Sequence, residues 1–459
     1  MNVLIIISIL ALVVLYLGLY KAKSALVPVT VLGLAGAAVA AIAEWNSNAS
    51  PIFSGMMLFD NFAVAFSVIT ILSTLLIVLL SKDYFDRISE HVAEYYAIIL
   101  FALAGVVVMV SYHNLTMLFI GIEIMSVASY ILAGIRKKDI ASNEAALKYF
   151  LMGAFSTGFL LFGITFLYGA TGSFDLEGIK QYLISNPTEV SILFYAGIIL
   201  AAIGLLFKVG AAPFHFWTPD VYDGAPTLIT TFMSTVVKTA GFAAFLRLFA
   251  TCFAPLQEFW MPVLLVVTVI TLFIGNITAL YQHSFKRMLA YSSISHAGYM
   301  LFAIVALGAN SGNAVFLYAT AYSVASIIAF GALILVKRVT GSDNFDSFNG
   351  LAKTNPYLAF TVTVAMLSLA GIPLTAGFMG KFMMFSSALS DYHVYLVVLA
   401  VINAVIGIFY YLRVIVAMYF KESDRAKVAV SPYFNVVLGI SALVTIILGL
   451  FPALVSNLL

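Results

Sequence analysis

The sequence predicts an all-α polytopic membrane protein with about fourteen transmembrane helices. Three observations lead there. Of its 459 residues, 63% are hydrophobic and only 9% charged, and the mean hydropathy is +1.09. Apolar stretches of about the 20 residues needed to cross a bilayer follow one another along the whole chain. The connections between them are short, so residues 1–459 read as one integral membrane domain.

The spans follow in order. The first four open near Val3, Leu26, Phe59 and Tyr95. Span five, near Leu115, carries Glu123 in the middle of LTMLFIGIEIMSVASYILAG. Span six, near Ala145, opens with Glu144 and Lys148 at an expected cytoplasmic entrance, where interface anchoring is the plainer role for Lys148. Span seven, near Ile192, ends on Lys208 and runs into VGAAPFHFWTPDVYDGAPT, whose Pro213, Pro219 and Pro226 break it. Span eight, near Leu228, holds Lys238 at its centre. Spans nine to eleven open near Trp260, Met288 and Ala314, and span ten carries His296 among Ser292, Ser293 and Ser295. Span twelve, near Tyr357, is broken in LAGIPLTAG at Gly371, Pro373 and Gly377, and Lys381 follows. Span thirteen, near Val394, carries Arg413, and span fourteen opens near Phe434.

Lys and Arg set the orientation. One set of alternating loops holds Lys21, Lys23, Lys82, Arg87, Arg136, Lys137, Lys138, Lys286, Arg287, Lys337, Arg338, Lys353, Lys421, Arg425 and Lys427. The opposite set holds Lys180, with Arg247 near a helix end. The first set is therefore expected in the cytoplasm, with both termini on the outer, periplasmic side of a bacterial inner membrane. The first apolar stretch does not read as a secretory signal, because its charges follow it.

Composition also narrows the chemistry. A net charge of +2 needs no nucleic-acid partner. Cys252 is the only cysteine, which excludes internal disulfides and four-cysteine iron–sulfur ligation within the chain. His91, His113, His215, His283, His296 and His393 show no metal-type spacing. Aromatic residues such as Tyr95, Tyr96, Tyr410 and Tyr411 read as interfacial belt and packing.

The charges inside the spans demand explanation. Each costs roughly 2.5–3.5 kcal/mol at a helix centre, about 10 kcal/mol for Glu123, Lys208, Lys238 and Lys381 together if independent. Burial moves lysine and carboxylate toward neutrality, and a neighbouring opposite charge reverses the shift. Glu123 and Lys208 are candidates for such a switchable pair, from which Lys208 would pass its proton to Lys238. His296 would bridge Lys238 to Lys381 through water, with a satisfied interior histidine as the plainer alternative. Arg413 stays charged and would set potential or pair with lipid, with snorkelling equally open. Asp220 and Asp223, with His215 beside them, would collect protons or cap the next helix.

The same positions repeat. Glu123 to Lys208 spans 85 residues, as does His296 to Lys381. Five spans separate the matched positions, so the second unit enters from the opposite side. Two inverted five-helix repeats follow, helices 4–8 over residues 93–250 and helices 9–13 over 256–420, with helices 7 and 12 broken.

The run HFWTPDVYDGAPT between Lys208 and Lys238, with NEAALKYFLMGAFSTGFLLFGITFLYGATG and KRMLAYSSISHAGYM, resembles the antiporter-like proton-pumping membrane subunits of respiratory complex I over almost the whole chain. WTPDVYDGAP and the lysine at 381 are closest in wording to the subunit N (subunit 2) type. The resemblance implies a charged axis through Glu123, Lys208, Lys238 and Lys381, coupled to quinone reduction elsewhere. It places NADH, FMN, iron–sulfur clusters and quinone in partner subunits, and none in this chain. Partners would be neighbouring antiporter-like and quinone-site-linking subunits, besides the lipid bilayer. A subunit of a multi-subunit monovalent cation/proton antiporter is the alternative, a non-pumping scaffold the second, and a subunit of a membrane hydrogenase or photosynthetic complex stays open.

Overall fold

The computed structural model describes residues 2–47, 50–82, 84–85, 91–187, 189–390, 394–422, 427–456 and 458–459, without the side chains at 387, 390 and 456. Arg87, His393 and Arg425, named above, lie outside them. Among these residues no strand forms; isolated bridges such as Asn114 with Asp175 and Ser284 with Asn344 tie loops together. In an apolar medium a helix satisfies its own backbone hydrogen bonds, which is why this composition gives helices.

Helices α1 (Asn2–Leu19), α2 (Lys23–Ala43), α3 (Asn61–Ser81), α4 (Val92–Val110), α5 (Leu115–Ala133) and α6 (Ile140–Thr171) come first. Polar side chains start several of them: Asp60, Asn114 and Asp139 accept from the backbone amides of Ala63, Thr116 and Ala141. A short helix that hydropathy did not foretell, α7 (Leu176–Ser185), buries Leu176, Ile179 and Leu183 at helical spacing. Then come α8 (Ile192–Val209), α9 (Trp217–Gly224), α10 (Thr227–Phe232) and α11 (Lys238–Leu248), the last two joined by a π turn over Met233–Val237.

The second half holds α12 (Gln257–Leu280), α13 (Phe285–Val305), α14 (Ser311–Thr340), α15 (Leu351–Thr354), α16 (Pro356–Ala370), α17 (Ala376–Ser390), α18 (Val394–Phe420), α19 (Pro432–Leu450) and α20 (Ala453–Ser456). Among the described residues, twelve helical stretches are long and apolar enough to cross a membrane, one of them running 54 residues from Thr227 to Leu280. At 1.5 Å per residue, that stretch is too long for one straight crossing. It turns around Phe249–Leu256, where the rings of Phe249 and Trp260 meet at 4.9 Å.

The core sits around α14 and α13. The membrane-length window of α14 is entirely buried, and that helix packs on α3, α10, α13, α16, α17 and α19. Outer helices keep an apolar face: Val398, Ile402, Val405, Phe409, Leu412 and Val416 form an exposed stripe on α18 that suits lipid.

Small residues set the closest crossings, as expected where lipid and side chains are equally apolar. A Cβ at Gly105 of α4 would lie 2.6 Å from the Met125 backbone nitrogen, and one at Gly121 of α5 would lie 2.7 Å from that of Met109. Gly163 of α6 and Gly197 of α8 face each other in the same way. Since backbone cannot yield as a side chain does, Gly121→Val should cost about 1–3 kcal/mol by forcing α4 and α5 apart. Gly158→Ala on α6, with nothing within 4 Å of the added carbon, is the control. A thermal-unfolding midpoint that drops for the first and holds for the second is the expected result.

Candidate functional site: a line of buried cations

Glu123, Ser126 and Tyr130 share one face of α5, spaced as successive helical neighbours. Lys208 reaches them from the last turn of α8. It is 3% exposed, and its Nζ donates to Ser126 Oγ at 2.8 Å and to Tyr130 OH at 3.3 Å. The direct Glu123–Lys208 pair expected from the sequence is not formed. Glu123 Oε1 is buried without a hydrogen-bond partner. The reason is axial offset: Ser126 lies about 4.5 Å further along α5 than Glu123, and the lysine meets the helix beyond the carboxylate.

The break after Lys208 is closed by protein groups. Gly210 takes φ +72° and ends α8, and the Ala212–Pro213 peptide is cis. The Trp217 indole donates to the Phe207 carbonyl at 3.1 Å, and Thr271 Oγ1 accepts from the Ala212 amide at 3.0 Å. His215 is buried, with Nδ1 unpartnered.

Helix α9 then carries Asp220, which accepts from Lys148 of α6 at 2.8 Å and from Arg287 of α13 at 3.0 Å. Lys148 also pairs with Glu144 at 2.7 Å, and Arg287 lies 3.6 Å from Asp223. Lys286 is buried and donates to the carbonyls of Asp223 and Ala225. Lys148 takes part in two ion bridges, and one expectation is corrected: neither aspartate caps α10, whose N-cap is Pro226. Burial pushes the Asp220 carboxyl up, but Lys148 and Arg287 outweigh it and hold the group below its usual range. It stays ionised at neutral pH, which suits a latch better than a proton collector.

Lys238 opens α11 after the π turn. Its Nζ donates to the Ser293 carbonyl at 2.6 Å and to the Ser293 hydroxyl, with the Tyr322 ring 5.9 Å away. Thr227, Thr231, Ser234 and Lys238 fall on one buried face of this rod, so hydroxyls line it from the α9 corner inward.

His296 lies one turn beyond Ser293 on α13. Its Nδ1 is 2.6 Å from Tyr318 OH and its Nε2 is 3.0 Å from Tyr411 OH, which in turn sits 2.5 Å from Ser292 Oγ. A neutral imidazole donates from one nitrogen and accepts at the other, so one of these tyrosines donates and the other accepts. Lys381, on α17, reaches back to the carbonyls of Leu369 and Ala370 at 3.0 and 2.9 Å and lies 4.7 Å from the Tyr299 ring centre. Those carbonyls belong to the end of α16, where Gly371 at φ +82° stops the helix. The ammonium thus caps acceptors that the break sets free.

The structure therefore brings Lys238, His296 and Lys381 into one connected interior, through residues that hydropathy could not single out. Tyr299, Tyr318, Tyr322 and Tyr411 surround His296. Tyr410 and Tyr411 are 1% and 2% exposed, so they are interior hydrogen-bonding groups rather than part of an interfacial belt; Tyr410 donates to Asn276. The Tyr96 hydroxyl is likewise buried against Ser81. Lys208 adjoins through its own helix end, where Val209 touches the Gly241 position of α11. Arg413 is elsewhere: it donates to the Gln282 carbonyl at 3.1 Å and lies over Phe345 at 4.2 Å. Arg247, near a helix end as expected, pairs with Asp60 at 2.5 Å.

Comparison with known proteins fits this architecture. The family described as NADH:quinone oxidoreductase/Mrp antiporter membrane proteins matches residues 112–407. NADH-quinone oxidoreductase subunit N of Flavobacterium psychrophilum is 40% identical over 460 residues, covering all of both chains. A chain of respiratory complex I from Thermus thermophilus with bound aureothin superposes with a TM-score of 0.85 at 32% identity, covering 99% of this chain and 98% of the other. A chain of the Mrp complex from Dietzia shares the fold with a TM-score of 0.90 at 19% identity, covering 99% of this chain and 95% of its own. The chain belongs to the antiporter-like NADH:quinone oxidoreductase/Mrp membrane family, among the relatives named subunit N.

Proposed function

We propose that this chain translocates protons along Glu123, Lys208, Lys238, His296 and Lys381, driven by quinone reduction in neighbouring subunits of an NADH:quinone oxidoreductase in a bacterial inner membrane. One observation carries the reading. Lys208, Lys238 and Lys381 are buried inside the helical bundle, and each ammonium hydrogen-bonds hydroxyls or carbonyls, with the Glu123 carboxylate near Lys208 but not bonded to it. A permanent structural charge would be expected to have a counter-ion. An amine held only by neutral groups can hand its proton to a hydroxyl or water and take it back.

The steps follow the contacts. Closing the gap between Glu123 and Lys208 would keep that lysine charged, and opening it would release the proton toward Lys238. From Lys238 the proton would pass by Ser293 and Ser292 to Tyr411, across His296 by exchange of its two ring nitrogens, and by Tyr318 toward Lys381. Each charge moved against 100 mV needs about 2.3 kcal/mol. Fourteen spans in two inverted repeats, over 93–250 and 256–420, would place the helix breaks at Gly210 and Gly371 in matching positions. The basic loops would face the cytoplasm and both termini the periplasm. NADH, FMN, iron–sulfur clusters and quinone would belong to partner subunits. A cation/proton antiporter subunit is the second reading, favoured by the shared fold with the Dietzia chain; full-length relatives at 40% identity favour the first.

A tagged complex carrying Lys238→Ala should assemble, yet pump protons and reduce quinone about tenfold more slowly, a barrier rise of ~1.4 kcal/mol. Full pumping at normal assembly would overturn the reading. A cofactor-free assembly exchanging sodium or potassium for protons would select the antiporter alternative.

The Asp220 latch makes a separate forecast. Asp220→Asn removes two half-exposed ion bridges worth roughly 0.2–1 kcal/mol each. Amide exchange over residues 217–224 should accelerate several-fold, while exchange in α14 stays as it was.

A further inference from the structure

At the end of the bundle that carries the basic loops, a cavity of about 1180 Å³ opens between the α5–α6 turn, the start of α4, the α9–α10 corner and the end of α14. Six cations line it, Arg136, Lys137, Lys138, Lys286, Lys337 and Arg338, against three acids, Glu94, Asp139 and Asp223. Some of that charge is used internally. Arg136 lies 3.8 Å from Asp139, Lys337 pairs with Asp343 at 2.8 Å, and Lys286 donates to two backbone carbonyls. Among the described residues, Lys137, Lys138 and Arg338 have no ion pair, and all three are exposed. The cavity lining includes the apolar Ile135, Ile334, Leu335 and Phe434, beside Tyr84, Tyr95 and Thr227.

Loops on the basic side of a membrane protein are cationic as a rule, and a splayed set of lysines would need no ligand. Here the unpaired cations ring a concavity whose lining is more apolar than polar. A free phosphate would use the rim and leave the wall wet. A molecule with an anionic head and aliphatic tails satisfies both, and the leaflet beside the rim supplies it. The geometry points to a binding site for an anionic phospholipid, its phosphodiester among Lys137, Lys138 and Arg338 and its acyl chains along Ile334, Leu335 and Phe434. The bound lipid would brace the α9–α10 corner, because Asp223, Gly224, Ala225 and Thr227 form part of the same cavity wall. The site stands independently of the proton path.

The test uses the intact complex in nanodiscs with photoreactive phosphatidylglycerol or phosphatidylcholine, carrying the label in the acyl chain. Phosphatidylglycerol should label peptides around 134–140 and 334–339, and the triple variant Lys137→Gln, Lys138→Gln, Arg338→Gln should lower that labelling about tenfold, the three charges each contributing near the surface. These side chains are exposed, so the fold should tolerate the change. If the triple variant does not assemble, Arg338→Gln alone decides, with an expected loss of about threefold. Three outcomes would overturn the site as a lipid site: labelling unchanged in the variants, equal labelling by phosphatidylcholine, or protection by millimolar inorganic phosphate as strong as by unlabelled phosphatidylglycerol. A cross-link from Lys138 to an acidic segment of a partner subunit, with no lipid labelling, would assign the cavity to protein instead.

Discussion

A polar group within this bundle has no water to turn to by default, and that constraint orders the interior. Each unpaired donor or acceptor in such a medium costs on the order of several kcal/mol. A helix break frees acceptors, and a buried lysine brings donors. The protein sets one against the other, most clearly where Lys381 donates to Leu369 and Ala370 at the end of α16. At the other break, Trp217 and Thr271 meet the groups freed around Gly210, and Lys208 turns to Ser126 and Tyr130. Charge and broken helix are one arrangement at Lys381; at the Gly210 break, and for Lys208 and Lys238, other side chains and carbonyls meet the polar groups.

Helix α13 shows how a single element distributes these contacts. Lys286 and Arg287 in its first turn hold α9, Ser292 and Ser293 meet Tyr411 and Lys238, His296 joins Tyr318 with Tyr411, and Tyr299 lies against Lys381. Successive residues of that helix therefore reach five neighbouring helices, α9, α11, α14, α17 and α18, without leaving the core. Its 94% buried window explains why so polar a helix persists: its serines and histidine are exposed to protein rather than to lipid. The Asp220 bridges then fix the position of α9 relative to α6 and α13, so that the corner before Lys238 is braced from two sides.

Much of this was legible in the residues. Apolar runs separated by basic loops specify helices, and Lys238 and Lys381 stood out because charge is costly at those depths. Pro213 and Gly371 marked the breaks because proline lacks an amide and glycine admits positive φ. Tyrosine gave no such signal. Tyr318 and Tyr411 are apolar enough to pass for packing, and their importance rests on where a hydroxyl lands relative to His296. Arg413 left several readings open in the sequence, potential-setting, lipid pairing or snorkelling, and its contacts with Gln282 and Phe345 depend on tertiary placement.

By itself the sequence determined the membrane class, the helical path, the helix breaks and the identity of the buried charges, because transfer free energy and backbone geometry act locally along the chain. Only the tertiary structure decided which charges meet. It left Glu123 beside Lys208 without a direct bond, placed Asp220 between Lys148 and Arg287, and set two tyrosines on His296, because such contacts depend on how helices far apart in sequence are rotated and offset. A shift of one helical turn moves a hydroxyl by about 5.4 Å, enough to make or break every one of these bonds.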